Sequence, residues 1–246
     1  MKLTIDATFQ SDYSLMEVHV VLLLFGPPGC GKGTQSPLLR DRLGIPAIST
    51  GDMLRRESEK HSDTGKTIDC LLAAGCLVPN EVVNHLLEAR LAEPDCRDGF
   101  LIDGYPRTVE QASHLHQILE GLGFAAPTLV HMDVPDSVLI GRLSARWSCR
   151  SCGTIYNLQS KPPLREGHCD IDNEPLWQRS DDTVETAHRR LDAYKAVTDP
   201  VLGFYKLGGT GNVIHVNAHQ APDAVFEEIK LALDAEVFSA VRLRRS

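Results

Sequence analysis

The stretch "VHVVLLLFGPPGCGKGT", residues 18–34, decides the fold. Its first half is an unbroken apolar run that ends at Phe25, with glycine and proline directly behind it. A continuous run, rather than alternation of apolar and polar residues, marks a strand covered on both faces, as in a parallel sheet. The second half fits G-x-x-x-x-G-K, the loop whose backbone N–H groups cradle phosphates while the lysine reaches their oxygens. The pattern predicts a helix over 32–43, and its positive end adds to an anion site. Gly29, Gly31, Lys32, Gly33 and Thr34 are therefore candidate phosphate-binding residues, with Lys32 carrying the charge. A plain glycine turn would explain the glycines, but not the strand before them, the helix after them and the lysine between.

Working outward, "GFLIDG" (99–104), "TLVHMDVP" (128–135) and "NVIHV" (212–216) read as further buried strands. Helical stretches at 109–122 and 136–146 lie between them. Alternating strands and helices predict an α/β fold with a doubly wound parallel sheet, helices on both faces. Two segments break the alternation. Residues 49–78 read as short helices with no strand signal. Residues 147–180 hold cysteines, prolines and glycines and read as a small inserted module. The chain after 180 is helical with a break near Pro200, and the first 15 residues and the tail "SAVRLRRS" are expected to fray.

Composition narrows the function. With 42% hydrophobic and 24% charged residues, the 246-residue chain can bury a substantial core. A net charge of -8 argues against a nucleic-acid binder that works through a broad basic face, though not against a local arginine cluster gripping phosphates. Seven scattered cysteines do not suggest a disulfide framework. The first 17 residues lack an apolar core of signal-peptide length, and no stretch approaches the roughly 20 apolar residues that span a bilayer. The expectation is a reducing, cytoplasmic compartment, with no membrane and no nucleic acid as partner.

The generic phosphate loop continues with Ser or Thr to hold Mg²⁺, but here Gly33 stands at that position. "LIDGYPR" (101–107) offers a carboxylate, Asp103, just past the end of a buried strand, where ligands gather in such sheets. Asp103 is the candidate for Mg²⁺, held through water because that ion dehydrates reluctantly. The bland alternative is a strand-end turn aspartate. The absence of N-K-x-D weakens a GTPase reading.

"CRSCG" (149–153) and "CDID" (169–172) raise a second metal question. Cys149, Cys152 and Cys169 supply three thiols, and His168, Asp170, Asp172 and Glu174 compete for a fourth position. Asp172 is the best choice, because C-x-x-C and C-x-x-D have equal spacing and can form similar knuckles. Three cysteines and a carboxylate would close a tetrahedral structural Zn²⁺ site. A module of about 30 residues has too little core to hold its shape unaided.

"GPPGCGKGTQ", "ISTGDMLR" (48–55) and "LIDGYPRT" (101–108) together closely resemble the nucleoside monophosphate kinases. Within that group they are most similar to the adenylate kinases of the long-lid, zinc-bearing bacterial type. "GRLSAR" (141–146), "RSDD" (179–182) and "RRL" (189–191) match in the same order, and the likeness covers about 20–233. The resemblance implies a P-loop core with a five-stranded parallel sheet over 18–48, 79–144 and 183–235. It implies a small helical insert over the monophosphate at 49–78 and a lid with the zinc site at 145–182. Residues 1–17 form an extension without a family counterpart, and 236–246 a tail. By motif position, Thr50, Arg55, Gly104, Arg107 and Gln111 are expected at AMP, with Gln111 reading the adenine edge. Arg142 and Arg146 are expected at the ATP phosphates, Arg179 and Arg190 are expected at AMP and complete the cage when the lid shuts, and Asp181 and Asp182 are expected to anchor lid geometry. Asp52 and Asp103 would organise Mg²⁺, and in the family the fourth zinc position varies between cysteine and aspartate. The implied reaction is ATP + AMP ⇌ 2 ADP, catalysed by a monomer through Lys32, Arg107, Arg142, Arg146, Arg179, Arg190 and Asp103.

Each feature also has a plainer reading. Arg142, Arg146 and Arg190 fall on expected helices, where a solvated face is the default, and Asp181 and Asp182 could cap the next helix. Asn80 stands at a helix start, where asparagine caps well. UMP or CMP kinases are the nearest alternatives, but Thr50 and the long lid favour AMP. A zinc-ribbon nucleic-acid module would need basic and aromatic residues on the ribbon. Residues 149–178 carry only Arg150, Lys161 and Arg165 against four acidic residues.

Overall fold

The computed structural model describes residues 20–60 and 62–243, so the expectations for 1–17 and 244–246 lie outside the described residues. The central sheet has five parallel strands in the order β2-β3-β1-β4-β8. These are β1 (Val20–Phe25), β2 (Ala47–Ser49), β3 (Gly99–Asp103), β4 (Thr128–Asp133) and β8 (Asn212–Asn217). The apolar run of β1 sits in the middle, paired with β3 through Val20↔Gly99 and with β4 through Leu22↔Thr128. Its residues alternate between two cores. Val21, Leu23 and Phe25 pack with one cluster, while Leu22 and Leu24 pack with the other. That two-sided burial is why the run shows no period of two.

Helices cover both faces. One core takes residues from α2 (Thr50–Ser58), α3 (Asp63–Ala74), α4 (Asn80–Leu91), α5 (Val109–Leu122) and α8 (Pro200–Gly208). The other takes residues from α1 (Lys32–Leu43), α6 (Asp136–Ser144), α7 (Val184–Ala193) and α9 (Pro222–Leu243). A π-helical turn over Tyr194–Thr198 separates α7 from α8 near Pro200. Helix α9 continues to Leu243, into the segment "SAVRLRRS" that was expected to fray. No glycine or proline follows Pro222 to stop it.

The inserted module is a three-stranded antiparallel sheet in the order β6-β5-β7, formed by β5 (Arg146–Cys149), β6 (Ile155–Asn157) and β7 (Leu176–Trp177). Its core is only Cys149, Tyr156, Cys169 and Leu176, with Trp147 packed against it. The helix expected over 136–146 stops at Ser144, so Arg146 opens a strand instead of ending a helix. The cause is pairing: Leu158 N–H bonds to Ala145 O at 3.0 Å, and Arg146 stands opposite Asn157. Strand β2 had no signal of its own. Its three residues are held by pairing with Leu101–Asp103 of β3.

Two caps also differ from expectation. Pro79, not Asn80, precedes α4, and Asn80 instead bonds across to Glu110 (2.6 Å) and Gln111 (2.9 Å). Thr183 caps α7 by accepting from Thr186 N–H at 3.2 Å, which frees Asp181 and Asp182 for other partners.

Candidate active site

The phosphate loop joins β1 to α1 and fits there only because of its glycines. Gly26 has φ 145°, and a Cβ on it would meet Met132 O at 2.7 Å. Gly31, at φ 110°, precedes the first turn of α1. This left-handed backbone turns successive N–H groups inward, which is the shape of an anion nest. Lys32 lies back across the loop, donating from Nζ to Gly26 O (2.6 Å) and Pro27 O (3.0 Å). A Cβ on Gly33 would meet Ile155 Cδ1 of β6 at 2.9 Å, so the inserted sheet reaches over the loop.

Around the loop opens a cleft of about 1270 Å³. Single small-molecule sites hold about 300–1,000 Å³, so there is room here for two nucleotides. Eleven arginines and lysines line the cleft against three carboxylates, Asp52, Glu59 and Asp103. A chain of net charge -8 thus concentrates positive charge in one place, the focusing a polyanion site requires.

Lys32, Arg55, Arg107, Arg142, Arg146, Arg179 and Arg190 all stand in this wall. Arg146 donates from Nε to Asp182 Oδ2 at 2.8 Å, and its Nη2 also meets Asp182 Oδ1. Arg190 Nη1 reaches Asp181 Oδ2 at 2.8 Å and Asp182 Oδ1 at 3.3 Å. Asp182 is fully enclosed between them, with 0% of its side chain exposed. Burial pushes the pKa values of Arg179 and Arg190 down to about 10, and neighbouring guanidinium groups add to the shift. Arg179 also keeps a buried Nε without a partner. Crowded, desolvated cations of this kind are a site prepared for anionic charge.

The carboxylates differ in surroundings. Burial raises the pKa of Asp103, while Lys32 and Arg107 oppose that shift. Among the described residues no side chain hydrogen-bonds to the Asp103 carboxylate, which leaves its lone pairs for a hydrated cation. Asp52 is instead paired with Arg55 and lies 3.9 Å from Arg179. Gly104, at φ 85°, allows a close approach: its Cβ would stand 3.0 Å from Thr50 Oγ1 and 3.2 Å from Arg107 Nη2. Arg107 Nε donates to Gly104 O at 2.8 Å, and the Tyr105–Pro106 peptide is cis. The Tyr105 hydroxyl donates to Asn84 Oδ1 at 2.8 Å.

Thr50 and Gln111 are buried beside the cleft rather than in its lining. Gln111 uses both ends of its amide: Oε1 accepts from Arg107 N–H at 2.7 Å, and Nε2 donates to Asn80. In this arrangement it positions the Arg107 backbone.

The sequence profile of adenylate kinases matches residues 24–210. The chain belongs to the adenylate kinase family. It is 42% identical over 212 residues to an adenylate kinase of Methanosarcina acetivorans, covering 86% of this chain and 97% of that one. To one of Symbiobacterium thermophilum it is 44% identical over 218 residues, covering 89% and 99%. To one of Listeria monocytogenes it is 42% identical over 212 residues, covering 86% and 98%. The family's reaction is phosphoryl transfer between ATP and AMP to give two ADP, and the chain is accordingly a nucleoside monophosphate kinase.

Two parts of the family's cleft carried no signal in this sequence. The loop after β8 lines it through Ala218, Gln220, Ala221 and Pro222, and Arg142 Nη1 donates to Ala218 O at 3.2 Å. Such small, uncharged residues form no motif. Arg150 also lines the cleft, stacked 4.4 Å over the Trp177 ring. In the sequence Arg150 counted only as one of three basic residues of the inserted module.

The lid gathers Cys149, Cys152, Cys169 and Asp172 so that their ligand atoms all lie within 4.8 Å of one another. Asp172 Oδ2 is 3.3 Å from Cys149 Sγ, and Cys152 Sγ is 3.5 Å from Cys169 Sγ. A zinc tetrahedron with bonds of about 2.3 Å has edges of about 3.8 Å, so these two pairs stand slightly inside that spacing. The two halves have the same backbone. Gly153 N–H bonds to Cys149 O at 3.2 Å, and Asn173 N–H to Cys169 O at 2.9 Å. Gly153 has φ 75° and Asn173 φ 58°. Cys149 N–H bonds to Thr154 O and Cys169 N–H to Glu174 O, both at 2.9 Å. Asp172 thus stands in its knuckle where Cys152 stands in the other. Its competitors are turned elsewhere: Asp170 Oδ1 accepts from Leu164 N–H at 2.8 Å, and His168 Nδ1 sits 3.0 Å from Glu166 O.

Proposed function

We propose that this chain transfers the phosphoryl group by alignment and charge neutralisation, with the residues of the cleft in defined roles. The loop N–H groups from Gly29 to Thr34, with Lys32, Arg142 and Arg146, hold the ATP phosphates. Arg55, Gly104 and Arg107 hold AMP, Thr50 supports them from behind by donating to Asp103 O at 3.3 Å, and Gln111 sets the Arg107 backbone. Arg179 and Arg190 bridge the two phosphate chains. The observation that carries this is the excess of cations in one cleft of an acidic chain. Two polyanions must meet head to head there, and arginine binds phosphate oxygens in pairs without deprotonating. The AMP phosphate is already an ionised nucleophile, so no general base is needed. Mg²⁺ fits beside Asp103, where it would neutralise charge developing on the β- and γ-phosphate oxygens. Asp52 is placed to hold Arg55 toward the monophosphate and reaches the ion, if at all, through water. The lid excludes the water that would otherwise hydrolyse ATP.

In a coupled assay, ATP with AMP should turn over faster than ATP with UMP or CMP. A preference for UMP would overturn the acceptor assignment.

The lid cluster fits Zn²⁺, which would cross-link two knuckles and take no part in the chemistry. Protein purified without chelator should contain one zinc per chain. Asp172→Cys should keep it, and Asp172→Ala should lower zinc affinity by at least about 10-fold. Purified protein without zinc would remove this assignment. We place the enzyme in the cytoplasm as a monomer, on the support of scattered cysteines and a complete cleft within one chain. Elution at one-chain mass in size-exclusion chromatography checks the second point.

A further inference from the structure

Outside the nucleotide cleft, the edge where β4 meets β8 brings two histidines and an aspartate together. His131 and His215 are direct partners in the parallel register, and Asp133 follows His131 by two residues, on the same face of the strand. The two Nδ1 atoms lie 3.1 Å apart. Asp133 Oδ1 is 3.3 Å from His131 Nδ1, and its Oδ2 is 3.3 Å from His215 Nδ1. Two imidazole nitrogens and the two oxygens of one carboxylate therefore face one another, and one donor atom from each residue lies within 4.8 Å of the others. We propose that His131, Asp133 and His215 form a site for a divalent transition-metal ion, distinct from the nucleotide cleft and the lid cluster.

The geometry and the donor set agree. Ligands about 2.1 Å from an ion stand about 3.4 Å apart in a tetrahedron and about 3.0 Å apart on an octahedral face. The separation of the two nitrogens, 3.1 Å, and of each from its nearer carboxylate oxygen, 3.3 Å, lie between these values. Two imidazoles with one carboxylate select zinc, nickel or cobalt over magnesium, which prefers oxygen alone. One ligand is anchored and two are accessible. The His131 side chain is 10% exposed, with its ring 5.8 Å from that of Phe25. The side chains of Asp133 and His215 are 56% and 48% exposed. They open onto a shallow depression that also includes Val134, Pro135, Val216 and Asn217. That depression gives an ion its entry path and leaves its remaining positions to water. Residues 128–135 and 212–216 gave only strand signals as sequence, because the three side chains meet solely through the pairing of β4 with β8. The competing arrangement is a hydrogen-bonded cluster sharing a proton, with no metal.

The experiment uses full-length protein loaded with zinc, dialysed free of excess metal and titrated with nickel in the absence of nucleotide. Bound zinc and nickel are counted separately by elemental analysis after equilibrium dialysis. One nickel per chain is expected with the zinc content unchanged. His215→Gln and Asp133→Asn should each weaken nickel binding by more than about 10-fold, since loss of even an outer-shell partner costs 10–100-fold. Circular dichroism checks that both variants are folded. Cobalt gives a second measurement without any variant: the imidazole ring protons of His131 and His215 should show paramagnetic shifts. No nickel uptake by the wild-type protein, or uptake undiminished in both variants, overturns the proposal. Cobalt shifts confined to other histidines do the same.

Discussion

Lys32→Met should lower kcat/KM for ADP formation from ATP and AMP by about 10³-fold, the scale on which removal of one preorganised charge slows phosphoryl or acyl transfer. Methionine keeps much of the side chain's volume and removes only the ammonium. The nine arginines that line the cleft remain, so binding should weaken far less than the rate. The folded state should lose no more than about 1.5 kcal/mol, because Lys32 contributes hydrogen bonds to Gly26 O and Pro27 O and a long one to Cys30 Sγ at a partly open site. Lys32→Arg should not rescue the rate. A planar fork is wider than an ammonium and cannot put one compact charge where Nζ stands, 2.6 Å from Gly26 O and 3.0 Å from Pro27 O. Steady-state kinetics beside a thermal melt separates the two effects. Activity of Lys32→Met within 10-fold of wild type would mean that the loop lysine does not carry transition-state charge.

How legible the molecule was depends on how local the cause is. Strand β1, its loop and α1 are specified by neighbours in sequence, an apolar run, glycines and a helix start, and they could be read directly. Strand β2 is three residues whose extended form comes from pairing with β3, so "AIS" alone could not announce it. Arg146 looked helical because the pattern of α6 runs into it, but the antiparallel partner Asn157 draws it into β5. Asn80 looked like a cap, and its bonds to Glu110 and Gln111 cross between helices 30 residues apart. The metal cluster was half legible. Equal spacing pointed to Asp172, but the matched left-handed turns at Gly153 and Asn173 exist only in the folded backbone. The loop from Ala218 to Pro222 stayed hidden because it lends the cleft its shape and backbone, not a reactive group.

Asp182→Ala should destabilise the fold by about 3–5 kcal/mol, the cost of removing one partner from a buried charge pair. An exposed pair such as Arg40 with Asp41 is a useful contrast, because its loss should cost about 0–1 kcal/mol. Asp182 differs because it is enclosed and accepts from both Arg146 and Arg190. Without it, the two guanidinium groups lose their shared counter-charge and face each other, with only Asp181 left beside Arg190. Urea unfolding gives the free-energy change, and a loss below about 1 kcal/mol would show that water or local rearrangement compensates the pair. Nucleotide should reverse part of the deficit. Phosphates entering the cleft bring negative charge to the same arginines, so a two-headed ATP–AMP mimic should bind the folded Asp182→Ala more tightly than the wild type and raise its Tm by more. Such a difference would identify Asp182 as a stand-in for substrate charge: a carboxylate that holds two phosphate-binding arginines in place while the cleft is empty.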